Sequence, residues 1–122
     1  MKICVTAQGK DLDSQVDPRF GRCQYFLMID PEALTCESME NPNRETGGGA
    51  GIRSGQMMSS HGVQAVLTGH MGPNAFRTIA SEGVQVYLGV SGPVREAVEK
   101  FKQGQYRASG QPDTGSHQTP LS

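Results

Sequence analysis

The sequence predicts a single α/β domain built on a five-stranded mixed sheet with three helices. Residues 2–40 contain three short segments of strand character separated by turn residues, which is typical of an antiparallel meander. Residues 62–67 and 83–88 then repeat a Gly-Val-Gln start followed by apolar residues, and each repeat precedes a helix that begins at a Gly-Pro. Consecutive βα units give parallel strands with right-handed crossovers. We therefore expect strand order 3-2-1-4-5, with strand 2 antiparallel to strand 1.

Each predicted element follows from a local pattern. Residues 2–7 alternate apolar and polar side chains and form the first strand, and after a polar loop residues 25–29 and 34–39 form the next two. A helix is expected over about 50–61, closed by Gly62 in a left-handed conformation. The two later helices carry apolar residues at helical spacing, so each packs one face against the sheet. These residues are Phe76, Ile79 and Ala80 in the first helix, and Val94, Ala97, Val98 and Phe101 in the second.

The length and charge of the chain limit its function. A chain of 122 residues can bury one core of ordinary size and leaves no room for a second domain. The formal net charge of -1 and a pI near 6.3 give no general attraction to nucleic acid or to an anionic membrane. No apolar run approaches the ~18 residues of a membrane span. We expect a monomer that binds neither nucleic acid nor membrane.

The cysteines and the two chain ends indicate a compartment and a domain boundary. The N-terminal apolar run is too short for a signal peptide. The three cysteines Cys4, Cys23 and Cys36 form no CxxC pair, and an odd number fits reduced thiols better than a set of disulfides. From Gly104 onward the sequence is rich in Gly, Pro, Ser, Gln and Thr, which bury little apolar surface. We therefore predict a cytoplasmic protein whose domain spans 1–106 and whose residues 107–122 form a disordered tail.

The predicted topology brings several loops to one edge of the sheet. In open α/β sheets, ligands bind at the carboxyl ends of the strands where the strand order reverses, here between strands 1 and 4. All three helices are expected to begin at this edge, so their unpaired amides and positive dipole ends face a common space. Such an arrangement favours an anionic ligand.

The residues predicted at this edge suit an anion. Glycines after strand 3 allow backbone amides to approach a ligand closely, and three arginines add positive charge. The loop after strand 4 supplies an imidazole and a thioether, which bind soft or borderline metals. The predicted cofactor contacts are Arg19, Arg22, Gly47, Gly48, Gly49, Gly51, Arg53, Gly69, His70, Met71 and Gly72, with His70 and Met71 as metal ligands and Cys23 as a weaker third.

Several of these residues have simpler interpretations. The glycine run matches neither GxxxxGK[ST] nor GxGxxG and is also typical of a flexible connector. Of the adjacent pair Met57 and Met58, the helical phase places Met58 in the core. Cys4 is expected to be buried within its strand, whereas Cys23, beside Arg22, is predicted to be the more reactive thiol.

Two other functions fit parts of the sequence. A two-metal nuclease needs carboxylates on strands 1 and 4 to hold ions ~4 Å apart, and neither strand carries one. Asp11, Asp13 and Asp17 lie in the loop after strand 1, where we expect solvated turn residues, so we predict no hydrolytic activity. The same edge would also serve a binding module for a phosphate-bearing small molecule or for a partner protein. Only His70 and Met71 favour a metal cluster over a phosphate.

Four segments of the chain resemble the dinitrogenase iron-molybdenum cofactor biosynthesis family, which includes the NifX and NafY types and the orange proteins. The similarity covers residues 1 to about 106, and this short standalone chain is most similar to the orange-protein branch. The segments are Met1-Lys2-Ile3, Arg19-Phe20-Gly21-Arg22, Gly47-Gly48-Gly49-Ala50-Gly51-Ile52-Arg53 and Gly72-Pro73-Asn74-Ala75-Phe76.

The resemblance implies a ribonuclease-H-like, three-layer fold and a function without catalysis. Its expected cargo is an anionic molybdenum-containing metal-sulfur cluster, either a mixed molybdenum-copper sulfide or a precursor of the iron-molybdenum cofactor. Proteins that donate or accept the cluster are then the expected partners. The resemblance also adds Asn74, within the matched Gly-Pro-Asn-Ala-Phe segment, to the predicted cofactor contacts.

Overall fold

The computed structural model describes residues 1–42 and 50–109. Its elements alternate in the order that the sequence predicts, with three strands before the first helix and a strand before each later one. Their bounds are β1 Ile3–Ala7, β2 Tyr25–Asp30, β3 Thr35–Glu40, α1 Ala50–Ser60, β4 Ala65–Leu67, α2 Pro73–Ser81, β5 Gln85–Tyr87 and α3 Val94–Lys102.

The five strands form one mixed sheet in the order β3-β2-β1-β4-β5, which confirms the predicted order. Strand β2 is antiparallel to both β1 and β3, whereas β4 is parallel to β1 and β5 is parallel to β4. The meander and the βα repeats meet at β1, where Cys4 is paired with Met28 on one side and with Val66 on the other. The order of strands reverses beside β1, as predicted.

Two apolar layers lie on the two faces of this sheet. On one face the strands contribute Cys4, Phe26 and Met28 to a core that also contains Met58 of α1 and Ile79 of α2. The opposite face carries a second core with α3, whose members include Ile3, Val5, Leu27, Ile29, Leu67, Val94, Ala97 and Val98. The domain therefore has three layers, with α1 and α2 on one face and α3 on the other.

Helices α1 and α2 pack closely side by side because α1 carries glycines at the contact. A Cβ added to Gly51 would lie 3.0 Å from the Cβ of Ala75, and one added to Gly55 would lie 3.1 Å from Cγ2 of Thr78. Because Gly51 meets the first turn of α2 and Gly55 meets a later turn, the two helices run in the same direction. Their N-termini therefore lie next to each other.

Several expectations about packing are confirmed and one is wrong. Met58 is fully buried while Met57 is only partly buried, and Gly62 has a φ of 73°, as expected of a helix-terminating glycine. Ala80, predicted to face the sheet, is exposed. Ala75 is buried in its place, because the apolar stripe of α2 is centred on Ala75, Phe76 and Ile79.

The last described residue contacts the edge strand of the sheet. The amide of Ser109 donates a hydrogen bond of 2.7 Å to the carbonyl of Val86 in β5. The rest of the predicted tail lies outside the described residues. Within residues 1–42 and 50–109, no helix has the length and apolar character that crossing a membrane requires.

The adjacent methionines of α1 provide a test of this packing. We expect Met58→Ala to lower the free energy of unfolding by about 2–5 kcal/mol, because it leaves a cavity in the core. Met57→Ala, which removes the same atoms from a partly buried side chain, is expected to cost less than half as much. Urea denaturation of both variants measures the difference. Equal losses would contradict the assigned helical phase.

Candidate functional site

The loop between β1 and β2 folds back over the carboxyl end of β1. Its Asp17 amide donates to the Thr6 carbonyl at 2.9 Å, and the Thr6 hydroxyl donates to the Asp17 carbonyl at 2.6 Å. The same hydroxyl lies 2.8 Å from the Thr68 hydroxyl, just beyond the end of β4. All three residues are fully buried. The backbone at Asp17 is therefore fixed against the ends of both central strands.

The next residues of this loop pair with the loop after β4. The amide of His70 donates to the carbonyl of Pro18 at 2.7 Å, and the amide of Phe20 donates to the carbonyl of His70 at 3.2 Å. These bonds form an isolated parallel bridge between Arg19 and His70. Two segments that the sequence analysis placed at one edge are thus in direct backbone contact.

Gly69 permits this contact. A Cβ at this position would lie 2.8 Å from Cα and 2.9 Å from the carbonyl oxygen of Pro18. Those atoms belong to the backbone and have no rotamer that moves them away. Glycine is therefore required here by the close approach of the two loops.

Asp17 is buried, whereas the sequence analysis expected a solvated turn residue. Its Oδ1 accepts hydrogen bonds from the Arg19 amide at 3.1 Å and from the Arg19 Nε at 3.3 Å, and its Oδ2 accepts one from the Gln24 amide at 3.3 Å. A charged carboxylate is tolerated away from water only when it has such partners. Asp11 and Asp13 are exposed, as expected, and Asp13 pairs with Arg95 at 3.1 Å.

The N-termini of α1 and α2 provide the positive ends of two helices at this edge. Neither helix has an acidic residue in its first turn. The residue that precedes α2 is Gly72, so no side chain of the N-cap residue bonds the first amides of this helix. The N-terminus of α3 differs from the expectation. Its first amides, of Val94 and Arg95, donate to the carbonyls of Ser14 and Leu12, both at 2.8 Å, so α3 offers no such open end.

Exposed basic side chains lie on the two bridged loops and on α1 and α2. Arg19 is 59% exposed in its side chain, and Arg22, Arg53 and His70 are exposed as well. Arg77 of α2 belongs with this group although the sequence analysis did not identify it. Its Nη2 donates to Oδ1 of the exposed Asn74 at 2.6 Å, so it lies one turn from the start of α2. The spacing of three residues between Asn74 and Arg77 on a predicted helix was the sequence feature that indicates this contact.

The sulfur ligands predicted from the sequence are not at the surface. Met71 is 2% exposed and belongs to the core beneath α1 and α2. Cys23 is fully buried beside Asn41, and burial raises its pKa, so its thiol is less acidic than predicted. Burial likewise raises the pKa of Cys4, which was expected to be buried. Among residues 1–42 and 50–109, no three His, Cys, Asp or Glu side chains are grouped as a metal ion would require.

Two further features concern the start of α1. The predicted contacts Gly47, Gly48 and Gly49 lie outside the described residues, whereas Gly51 lies in the first turn of α1 against Ala75. In the second turn, the fully buried Oγ of Ser54 has no hydrogen-bond partner in the described part of the chain. A buried hydroxyl without a partner costs about 1–3 kcal/mol.

The sequence of residues 1–104 matches the protein family described as dinitrogenase iron-molybdenum cofactor. The fold is similar to that of the apo form of the orange protein from Desulfovibrio gigas, with a TM-score of 0.89 and 36% identity. That similarity covers 93% of this chain and 96% of the orange protein chain.

Two other proteins are similar to this chain. A putative NifB protein from Thermotoga is 32% identical with a TM-score of 0.75, over 98% of each chain. A protein of Methanocaldococcus jannaschii without an assigned function is 27% identical over 95 residues, which is 75% of this chain and 80% of that protein.

The loop contact at Gly69 can be tested by substitution. We expect Gly69→Ala to destabilise the protein by about 1–3 kcal/mol, because the added Cβ forces the backbone of Pro18 away. The His70 amide should then exchange with solvent faster than in the wild type, which hydrogen exchange measures. As a control, Gly62→Ala adds a Cβ into open space at a positive φ and should cost about 1 kcal/mol without this local effect. Unchanged relative protection of His70 in Gly69→Ala would show that the contact does not depend on this glycine.

The buried thiols predict a dependence on alkaline pH. The folded pKa values of Cys4 and Cys23 lie above the ordinary thiol value of 9.0, so the unfolded chain loses these protons first as the pH rises. The free energy of unfolding should therefore fall above about pH 9, and Cys4→Ala with Cys23→Ala should reduce that slope. A thiol reagent at pH 8 should modify the partly exposed Cys36 first. Rapid modification of Cys23 in the folded protein would contradict this assignment.

Proposed function

Because the chain belongs to the dinitrogenase iron-molybdenum cofactor family, we propose that it binds and carries an anionic molybdenum-containing metal-sulfur cluster without catalysing a reaction. The observation that carries the proposal is the backbone bridge between Arg19 and His70. It holds the loops of Arg19 and His70 together at the edge where α2 begins, beside the N-terminus of α1.

The chemistry of this edge suits a large anion. Amides at helix N-termini and guanidinium groups both favour negative charge, and guanidinium groups can donate several hydrogen bonds at once. A thiometallate cluster is multiply negative and polarizable, so such donors can hold it without a bond from protein to metal.

The ligand contacts that we propose include neither of the two sulfur ligands predicted from the sequence. Met71 and Cys23 contribute to the buried layer under the site, so of the three predicted metal ligands His70 is the exposed one. The proposed contacts are Arg19, Arg22, Arg53, His70, Asn74 and Arg77, with backbone from Gly51, Gly69 and Gly72 and from the earlier glycines Gly47, Gly48 and Gly49.

The cargo that we propose is the molybdenum-copper sulfide that the resemblance to the orange-protein branch implies, or a precursor of the iron-molybdenum cofactor that the family description names. In this proposal the chain is a cytoplasmic monomer with a ribonuclease-H-like fold, and it exchanges cluster with donor or acceptor proteins. It binds neither nucleic acid nor membrane.

A phosphate-bearing small molecule is the second candidate. The observation in its favour is the burial of Met71, which removes the thioether from the edge and leaves a surface of amides, guanidinium groups and one imidazole. Such a surface recognises phosphate as well as it recognises a thiometallate. The identity of the ligand therefore has to be decided by binding.

Reconstitution of the apo-protein with tetrathiomolybdate and copper tests the proposal. The wild type should acquire a visible chromophore and a fixed molybdenum-to-protein ratio. If attraction by charge dominates, Arg53→Gln should weaken binding by about 1–3 kcal/mol, and added salt should weaken it further. If a metal bond from the imidazole dominates, His70→Ala should abolish binding instead.

The control for net charge is Lys100→Gln, which removes one positive charge from the later part of α3, away from the start of that helix. It should leave the chromophore and the affinity close to wild type. A wild-type protein that acquires neither chromophore nor molybdenum, and that binds inorganic phosphate or nucleotide at this edge, would replace the cluster proposal by the phosphate alternative.

A further inference from the structure

The loop that carries Arg19 and Arg22 contains a charged group of the wrong sign for an anion site. Asp17 is negative, and its side chain is fully buried directly beneath Arg19. A carboxylate in this position weakens the attraction between the edge and any anion. Its presence therefore calls for a role other than attraction.

The hydrogen bonds of Asp17 show what that role is. One carboxylate oxygen accepts both the amide and the Nε of Arg19, and the other accepts the amide of Gln24. The carboxylate thus joins the two ends of the turn from Arg19 to Gln24. Its own backbone is fixed by Thr6, which also contacts Thr68 at the end of β4.

The guanidinium of Arg19 is oriented by this arrangement. Its Nε is bonded to the buried Oδ1 of Asp17, and its side chain is 59% exposed. Among the described residues, its two terminal nitrogens make no other hydrogen bond or ion pair. Because a guanidinium is planar, fixing Nε from below sets the direction of both terminal nitrogens, which are the atoms suited to grip an anion.

From these contacts we infer that Asp17 is a positioning residue of the anion site, acting through Arg19. The inference rests on the proposed function for the nature of the ligand, and on the geometry alone for the role of Asp17. An amide cannot replace the carboxylate, because Asn offers one acceptor oxygen and its NH₂ group would face a donor of Arg19 or Gln24. Both carboxylate oxygens are required.

The direction of the change in affinity on Asp17→Asn shows whether Asp17 positions Arg19 or acts only as a negative charge. If Asp17 acts only as a negative charge, Asp17→Asn should tighten binding of tetrathiomolybdate with copper, since the edge becomes more positive. If Asp17 positions Arg19, the same substitution should weaken binding roughly tenfold, the equivalent of one charge-assisted hydrogen bond. In an Arg19→Ala background, Asp17→Asn should then have no further effect. Tighter binding, or an equal loss in both backgrounds, overturns the inference.

A second comparison covers the case in which Asp17→Asn does not fold. Arg19→Lys keeps the positive charge but removes the Nε donor, whereas Arg95→Lys is the matched change at an arginine outside the site, whose Nε donates to Asp13. We expect Arg19→Lys to weaken binding roughly tenfold and Arg95→Lys to leave it close to wild type. Equal effects of the two lysine variants would contradict positioning.

An observation without ligand separates this inference from the proposed function. In the apo-protein, the Arg19 Nε–H should give a slowly exchanging ¹H–¹⁵N NMR signal that Asp17→Asn shifts or removes, while the Arg53 signal stays unchanged. If the wild type binds neither tetrathiomolybdate with copper nor inorganic phosphate, the proposed function fails. The Arg19 signal then still decides the role of Asp17, because an Arg19 signal that Asp17→Asn leaves unchanged overturns it.

Discussion

Two backbone hydrogen bonds to His70 join segments that are far apart in the sequence, and the geometry of the candidate site depends on them. They lie beyond the carboxyl ends of β1 and β4 and form an isolated parallel bridge between the loops that follow these strands. A bridge at this place sets the distance between the loop of Arg19 and the start of α2. The glycine at position 69 makes the approach possible. The buried Thr6 hydroxyl donates to the Asp17 carbonyl and accepts a hydrogen bond from the Thr68 hydroxyl.

Successive side chains of an extended backbone point in opposite directions, and this explains which side chains of the loop after β4 reach the surface. At His70 the chain forms a β-bridge, so neighbouring side chains point in opposite directions. His70 is therefore exposed while Met71 enters the core. Cationic and imidazole groups are therefore at the surface of this edge, and sulfur-containing side chains form the core layer beneath it. That layer includes Cys4, Cys23, Met28, Met58 and Met71.

Most of the fold could be predicted because its signals are local. The phase of a helix identified Met58 as a core residue, and the repeated Gly-Val-Gln pattern located β4 and β5. The edge itself followed from topology. What could not be predicted required contacts between distant segments. The burial of Asp17 depends on donors from Arg19 and Gln24, and the closure of the α3 N-terminus depends on carbonyls of Leu12 and Ser14. Neither contact leaves a periodic trace in the sequence.

The distribution of charge is compatible with a carrier that must also release its cargo. At physiological ionic strength exposed charges are screened over about 8 Å, so the net charge of -1 matters less for an anion than the basic groups next to it. Those groups are on exposed side chains, whereas the two predicted sulfur ligands, Met71 and Cys23, are buried in the core. For the proposed carrier we therefore expect binding that is specific in geometry and moderate in strength. A partner that brings its own cations or thiolates to the same edge could therefore displace the protein from the cluster without any change of fold.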